Sequence, residues 1–278
     1  MSRTLFGMTT EIRPSRGIAD LDLREVWQRR ELWYFLTWRD LKIRYRQTAF
    51  GFAWAVLQPV ALTVVFSVFL GYLARVPSDD VPYPAFVLAG LVPWTLFASA
   101  LLAASNSLIQ GGDTITKVYF PRLLLPLSAA TSHLLDLAIA TLVLVVALPF
   151  YGFSPSWTLV WVPLVALATF AVSVVLGTLM SAVNARYRDV QHALPLAIQV
   201  WLFLTPVAYP ASLVPAHWQG LYGLNPMAAV VEAFRWALLG TNPPTQGMVI
   251  SSVTSTLVLS LVAAIYFQRT ESVLADVI

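Results

Sequence analysis

Six blocks of apolar residues, separated by short polar or proline-rich segments, dominate the chain after residue 50. They lie at about 50–73, 83–108, 123–151, 157–183, 193–209 and 248–267. Each block approaches or exceeds the roughly 17 to 25 residues that a helix needs to cross a hydrocarbon layer. The pattern therefore predicts an all-α integral membrane protein, with a six-span transmembrane domain in residues 50–278.

The polar segment before the first block has helical periodicity. Its bulky apolar residues share one face: Leu23, Trp27, Tyr34, Trp38, Leu41 and Tyr45. Long polar side chains share the opposite face: Arg24, Gln28, Arg39, Lys42 and Arg46. Residues 1–49 are therefore predicted to hold an N-terminal interfacial amphipathic helix, with Trp27, Trp38, Arg39, Lys42 and Arg46 at the interface. Such a helix either anchors the N-terminus or serves as a docking surface for a soluble partner.

The distribution of lysine and arginine predicts the orientation, because cytoplasmic loops retain these residues. Of the 17, ten precede residue 50. A cytoplasmic N-terminus and six crossings place five more in cytoplasmic loops and leave Arg75 and Arg235 outside. Both termini are therefore predicted to be cytoplasmic. The net charge of +3 is then a signal for topology and does not indicate a nucleic-acid partner.

Composition narrows the chemistry that this chain could perform. It is 58% hydrophobic and 11% charged, and it contains no cysteine, which excludes disulfides and thiolate metal sites. Neither of its two lysines, Lys42 and Lys117, follows glycine, so the Gly-Lys-Ser/Thr ending of a phosphate-binding loop does not occur. The three histidines lie on different segments without metal-ligand spacing. The sequence therefore predicts no catalytic residue, metal or cofactor, and energy would come from a partner or an ion gradient.

Two ionisable residues lie together in the third block. His133 and Asp136 are one helical turn apart near its predicted cytoplasmic end. A hydrogen bond between helices is favoured over a proton relay, because the pair lies close to the interface. The other blocks carry no Lys, Arg, Asp or Glu deep in the membrane, which argues against an ion-coupled carrier.

The loop after the second block contains Gly111 and Gly112, which favour a helix stop, and Asp113, which can cap a following helix. Residues 115–120 are too few to cross a membrane. This stub is either a contact for a soluble subunit or a tight turn.

Residues 210–247 form a predicted outer gate segment that prolines divide, so it is not one long helix. Asn225 and Pro226 have the pattern of an N-cap and first helical residue, and Gly240 that of a C-terminal stop. The intervening helix is too short to span, which predicts short outer re-entrant gate helices or a helix packed at the surface. Glu232 and Arg235, three residues apart, are positioned to pair within it.

Four segments in this order resemble ATP-binding-cassette permeases that export O-antigen, teichoic acid and capsular polysaccharide. The first runs from Trp38 to Gln47 and continues through Gly51, Trp54 and Leu57-Gln58-Pro59. The others are Lys117 to Arg122 with Leu125-Pro126, then Thr205-Pro206 with Tyr209-Pro210, and finally Leu224 to Leu239.

The resemblance implies a non-catalytic permease of the bacterial cytoplasmic (inner) membrane that moves a lipid-linked polysaccharide. Two copies of the chain would form a homodimer, each docked on a separate ATPase subunit that uses ATP and Mg. Docking would involve the loop around 111–119, with coupling residues Asp113, Thr114, Lys117 and Tyr119. The resemblance further implies a channel at the dimer axis, for which the aromatic candidates are Trp54, Trp94, Trp201 and Phe203, and an outer gate containing Asn225, Pro226, Glu232 and Arg235.

Three alternatives stay open from the sequence. A drug or small-lipid exporter would share the architecture, whereas the arginine-rich start favours polysaccharide. A membrane-embedded glycan ligase or polymerase would need catalytic groups outside, where the charged residues are Arg75, Asp79, Asp80, Glu232 and Arg235. The hypothesis of a purely structural membrane scaffold does not explain the capped outer helix.

Overall fold

The computed structural model describes residues 23–46, 51–111, 120–153 and 156–271, and every regular element in these ranges is helical. In chain order the α-helices are α1 Leu23–Gln28, α2 Arg30–Tyr45, α3 Trp54–Phe66, α4 Tyr83–Gln110, α5 Leu124–Thr131, α6 Leu134–Ala147, α7 Val162–Arg186, α8 Val190–Leu204, α9 Ala216–Tyr222, α10 Pro226–Leu239 and α11 Gln246–Glu271. A π-helix Ser67–Leu73 continues α3, and short 3-10 turns are Gly51–Ala53, Leu148–Tyr151, Trp157–Trp161 and Ala211–Leu213.

Five helical stretches are long and apolar enough to cross a membrane. They are Trp54–Leu73, Tyr83–Gln110, Leu124–Tyr151, Trp157–Arg186 and Gln246–Thr270. Each has at least 20 residues, which at about 1.5 Å per residue gives roughly the thickness of a hydrocarbon layer. Five of the six apolar blocks in the sequence thus form candidate spans.

The apolar block at 193–209 forms a shorter helix than the pattern predicts. α8 has 15 residues and ends at Leu204, because Thr205 adopts an extended conformation before Pro206. At about 1.5 Å per residue this helix is roughly 22 Å long, less than a full crossing. Within the described residues the structure therefore has five candidate spans and one shorter apolar helix, where the sequence predicted six spans.

The core of the molecule surrounds α4. Eighteen of its 28 residues are buried, and it packs against α3, α5, α7 and α10. Its contact with α7 is especially close: a Cβ placed on Gly177 would lie 2.5 Å from the Cβ of Ala104. Small residues at such contacts allow helix backbones to approach, which strengthens dispersion contacts where lipid provides no hydrophobic driving force.

The N-terminal helix is broken at Arg29, and the side that packs on the bundle is not the side that carries Trp27, Tyr34 and Trp38. Trp27, Tyr34 and Trp38 are 65%, 64% and 57% exposed, whereas Leu36 is 6% exposed. Leu36 packs in an apolar cluster with Phe120, Leu124 and Leu125, among others. The assignment of these aromatic residues to the membrane interface stays a prediction. The bundle buries the neighbouring side of α2, and the aromatic residues point away from the bundle.

Candidate functional site

A cluster of polar side chains joins the end of α2 to the third candidate span. Nη1 of Arg44 lies 2.8 Å from Oδ2 of Asp136, and Nη2 donates to Oγ of Ser132 at 2.8 Å. The guanidinium also contacts both ring nitrogens of His133 at 2.7 and 3.0 Å, and Tyr45 donates its hydroxyl to Asp136. The interpretation of His133 and Asp136 as a helix-to-helix hydrogen-bonding pair is confirmed. The sequence pattern does not indicate that Arg44 is the partner of this pair.

The charges in this junction balance. Burial lowers the pKa of the Arg44 guanidinium, and the carboxylates of Asp136 and Asp40 act in the opposite direction. Because an arginine titrates far above neutral pH in water, Arg44 remains a cation beside the Asp136 carboxylate. The junction is thus an ion pair surrounded by hydrogen-bonding groups.

Further polar contacts fix α2 along α5. The indole nitrogen of Trp33 donates to Oγ1 of Thr131 at 3.1 Å. About two turns further along α2, Asp40 accepts at Oδ2 a hydrogen bond from Oγ of Ser128 at 3.4 Å. Together with the Arg44 ion pair, these contacts attach the N-terminal helix to the transmembrane bundle over most of its length.

A cavity of about 260 Å³ lies beside this junction, between α2, α3, α4 and α6. Its polar groups come from different elements: Arg44 from α2, Gln58 from α3, Ser99 from α4 and Asp136 from α6. Trp54 also lines it, and its side chain is 51% exposed. Tyr45, Thr95 and His133 add further polar groups, and apolar side chains such as Leu96 and Leu137 also line the cavity. One chain therefore forms a small chamber of mixed polarity.

The second polar centre is the buried Arg235 of α10. This residue is 1% exposed, and its Nη1 lies 3.0 Å from Oε1 of Glu232. Nη2 donates to the carbonyls of Pro206 and Val207 at 2.8 and 2.9 Å, and the guanidinium lies 3.6 Å from the ring centre of Phe86. The guanidinium therefore satisfies backbone carbonyls of the non-helical segment that follows α8.

Glu232 and Gly90 complete the surroundings of Arg235. The carboxylate of Glu232 accepts a second hydrogen bond, from the backbone N–H of Ala211 at 2.9 Å. A Cβ on Gly90 would lie 2.7 Å from Nη2 of Arg235, so the glycine leaves space for the guanidinium. The ion pair thus connects α10, α4 and the chain on both sides of Pro210.

The ends of α10 have the capping pattern that the sequence indicates. The side-chain oxygen of Asn225 accepts from the N–H of Met227 at 3.1 Å, and Pro226 is the first helical residue. Gly240 ends the helix with φ of 67°, a left-handed conformation that glycine adopts without a Cβ penalty. Twelve of its 14 residues are buried against neighbouring helices, so α10 lies inside the bundle of a single chain.

The four aromatic residues proposed for a channel do not form one group. Trp94 is 3% exposed and packs on Phe97 with ring centres 5.3 Å apart. Trp201 also contacts Phe97, with ring centres 5.2 Å apart, and donates to Oδ1 of Asn225 at 3.0 Å. Phe203 is 62% exposed, and Trp54 lines the cavity beside Arg44. Within one chain, Trp94 therefore belongs to the core, and Trp54 and Phe203 present exposed rings.

The five residues predicted to lie at the membrane interface are all exposed in a single chain. Trp27, Trp38, Arg39, Lys42 and Arg46 all belong to this exposed group. The proposed coupling residues Asp113, Thr114, Lys117 and Tyr119 lie outside the described residues.

These features define a class of protein: a multi-pass helical membrane protein whose N-terminal helix is fixed to its spans by partly buried polar contacts. Comparison with known families narrows the class. The ABC-2 type transporter model matches residues 31–239, from the first turn of α2 to the last residue of α10. The chain belongs to the ABC-2 type transporter family.

Curated relatives align over most of their length. The O-antigen export system permease protein RfbA of Myxococcus xanthus is 30% identical over 216 residues, covering 77% of this chain and 82% of that protein. A protein of the same name from Klebsiella pneumoniae is 31% identical over 74% of this chain and 79% of its own. The polysialic acid transport protein KpsM of Escherichia coli is 22% identical over 72% and 78%.

Proposed function

We propose that this chain is the transmembrane permease subunit of an ATP-driven exporter that moves a lipid-linked polysaccharide across the bacterial cytoplasmic membrane. The observation that carries the proposal is the similarity to relatives that are named as permeases or transport proteins for O-antigen and polysialic acid. These relatives align over about three quarters of the chain, and the family model matches a range that includes the polar junction and α10.

The proposal includes a separate ATPase subunit. The sequence of this chain lacks the lysine pattern of a phosphate-binding loop, so ATP hydrolysis would take place on a partner. Two copies of the chain and two ATPase subunits would form the exporter. The loop with Asp113, Thr114, Lys117 and Tyr119 would contact the ATPase, and the exposed basic side of α2 would lie beside it.

The proposal also assigns a gating role to α10. Its predicted position is on the outer side, and the ion pair between Glu232 and Arg235 attaches it to the break after α8. A conformational change in the segment from Pro206 to Pro210 would therefore also move α10. The channel itself would form between two copies of the chain, with Phe203 as an exposed aromatic candidate.

Deletion of the gene in its own host tests the function. We expect the cell surface to lose its long-chain polysaccharide while lipid-linked polysaccharide accumulates on the cytoplasmic side. The measurements are surface labelling of intact cells with a glycan-binding lectin and analysis of glycolipid extracted from broken cells. Expression of the wild-type chain is the control and should restore the surface glycan. An unchanged surface glycan with altered sensitivity to drugs would contradict the proposal and favour the drug-exporter alternative.

A further inference from the structure

The cavity beside Arg44 brings charged, polar and aromatic side chains together within a single chain. A channel between two copies of the chain would not by itself need such a cavity. It is bounded by four helices of the same chain and has a volume of about 260 Å³. This volume lies below the roughly 300 to 1,000 Å³ typical of pockets for drug-sized ligands. A volume of this size holds one ring-sized group.

The charge balance distinguishes between a neutral and an anionic occupant. Nη1 of Arg44 lies 2.8 Å from the Asp136 carboxylate, so the cation in the cavity wall is already compensated. A phosphate group that approached Arg44 would also approach Asp136, and two anions at close range repel each other strongly in a medium of low dielectric constant. The cavity is therefore unfavourable for a phosphate or a lipid carboxylate.

The hydrogen-bonding groups favour a ligand with hydroxyls. Arg44 and Asp136 already bond to each other and to neighbouring side chains. The Gln58 amide and the Ser99 hydroxyl each both donate and accept hydrogen bonds. A hydroxyl group also does both, so a ring with several hydroxyls matches a wall with donors and acceptors on different sides. The exposed ring of Trp54 adds a flat apolar surface with a partly negative face, against which the C–H groups of a sugar ring pack.

We propose that the cavity formed by Arg44, Trp54, Gln58, Ser99 and Asp136 binds one neutral sugar ring of a glycolipid. The inference rests on the proposed function, because it assigns a glycan subsite to a glycan exporter. It differs from the proposed channel in lying between helices of one chain. A single ring held next to the junction between α2 and α6 would place the sugar end of a glycolipid beside the helix that leads to the ATPase.

The absence of cysteine from the chain allows a direct test. Ser99→Cys places one thiol in the cavity wall, and Ser260→Cys places one on another half-buried serine position, on α11. The purified full chain in phosphatidylcholine nanodiscs is treated with a small maleimide. Octyl β-glucoside below its micelle concentration is the neutral sugar probe, and octyl phosphate is the anionic probe with the same alkyl chain.

We expect octyl β-glucoside to slow alkylation of Ser99→Cys several-fold, while octyl phosphate leaves that rate unchanged and neither probe affects Ser260→Cys. Adding Gln58→Leu, which removes an exposed amide without filling a core position, should weaken the affinity for the glucoside up to about tenfold and so remove most of the protection at the same probe concentration. Protection by octyl phosphate, equal protection by both probes, or no protection would each overturn the proposal. Protection that Gln58→Leu does not alter would also overturn it.

The results of the binding test and of the export test distinguish failure of the sugar site from failure of the exporter function. If the surface glycan depends on this chain and the glucoside does not protect Ser99→Cys, the sugar site is wrong and the exporter function stands. If the glucoside protects Ser99→Cys and gene deletion leaves the surface glycan unchanged, the cavity binds a sugar and the exporter proposal is wrong.

Discussion

Arg235 has the largest side chain among the fully buried residues in the described part of the chain. Burying a cation is costly unless its charge and all its donors are satisfied. Here the charge is satisfied by Glu232, and the remaining donors reach the carbonyls of Phe86, Pro206 and Val207. The residue therefore joins α10 to α4 and to the non-helical segment after α8, whose carbonyls it satisfies.

The variant Arg235→Met tests this role. It keeps an extended side chain but leaves Glu232 as an uncompensated buried carboxylate, so we expect a loss of about 3–5 kcal/mol. The measurement is the thermal unfolding midpoint of the purified protein in detergent. Arg75→Met, which changes an exposed arginine, is the matched control and should leave the midpoint within about 1 °C. Equal midpoints for the two variants would contradict the assigned role.

Exchange of the two charges gives a second test of the same site. In Glu232→Arg with Arg235→Glu the pair could still form, but the carbonyls of Pro206 and Val207 would face a carboxylate. The N–H of Ala211 would lose its acceptor as well. We therefore expect the double variant to remain as unstable as Arg235→Met. Recovery of the wild-type midpoint would mean that only the pair matters.

At the scale of elements, the contact between α4 and α7 depends on small residues. A Cβ on Gly177 would meet the Cβ of Ala104 at 2.5 Å, whereas a Cβ on Gly220 of α9 has no neighbour within 4 Å. Gly177→Ala should therefore lower stability by about 1–3 kcal/mol through overpacking. Gly220→Ala is the control, and it should be neutral or slightly stabilising because alanine favours a helix. Unfolding midpoints in detergent compare the two, and an unchanged midpoint for Gly177→Ala would show that the helices separate easily.

The placement of α10 leads to a topology prediction. Leu224 and Asn242 flank this helix and are exposed, whereas Ala237 within it is fully buried. If α10 is re-entrant from the outer side, single cysteines at Leu224 and Asn242 should both react with a membrane-impermeant thiol reagent applied to intact cells. Ala237→Cys is the buried control and should not react before unfolding. Labelling of the two flanking positions from opposite sides of the membrane would exclude a re-entrant helix.

At the scale of the whole molecule, the proposed exporter depends on contact between the permease and its ATPase. Replacing Lys117 and Tyr119 with alanine should uncouple ATP hydrolysis from export and leave membrane insertion intact. Export is measured by lectin labelling of surface glycan, and insertion by the amount of protein in membrane fractions. Arg188→Ala, an exposed basic residue in another predicted cytoplasmic loop, is the control. Export at the wild-type rate by the double variant would place the contact elsewhere.

The sequence by itself determined the features that depend on neighbouring residues. Five apolar blocks predicted the candidate spans, because the length of a helix and its apolar character are local properties. The caps of α10 followed from Asn225, Pro226 and Gly240, whose preferences are set by their own backbone conformations. The pairing of Glu232 with Arg235 followed from helical spacing.

Only the tertiary structure decided which distant residues meet. Arg44 and Asp136 are 92 positions apart, and no periodicity links an arginine in one helix to a carboxylate in another. The packed face of α2 depended on the cluster around Phe120 and Leu124, which lies far away in sequence. Trp94 lies in the core because helices surround α4 on several sides. Hydrophobicity alone does not predict this position, because an apolar side chain suits a neighbouring helix and lipid equally well.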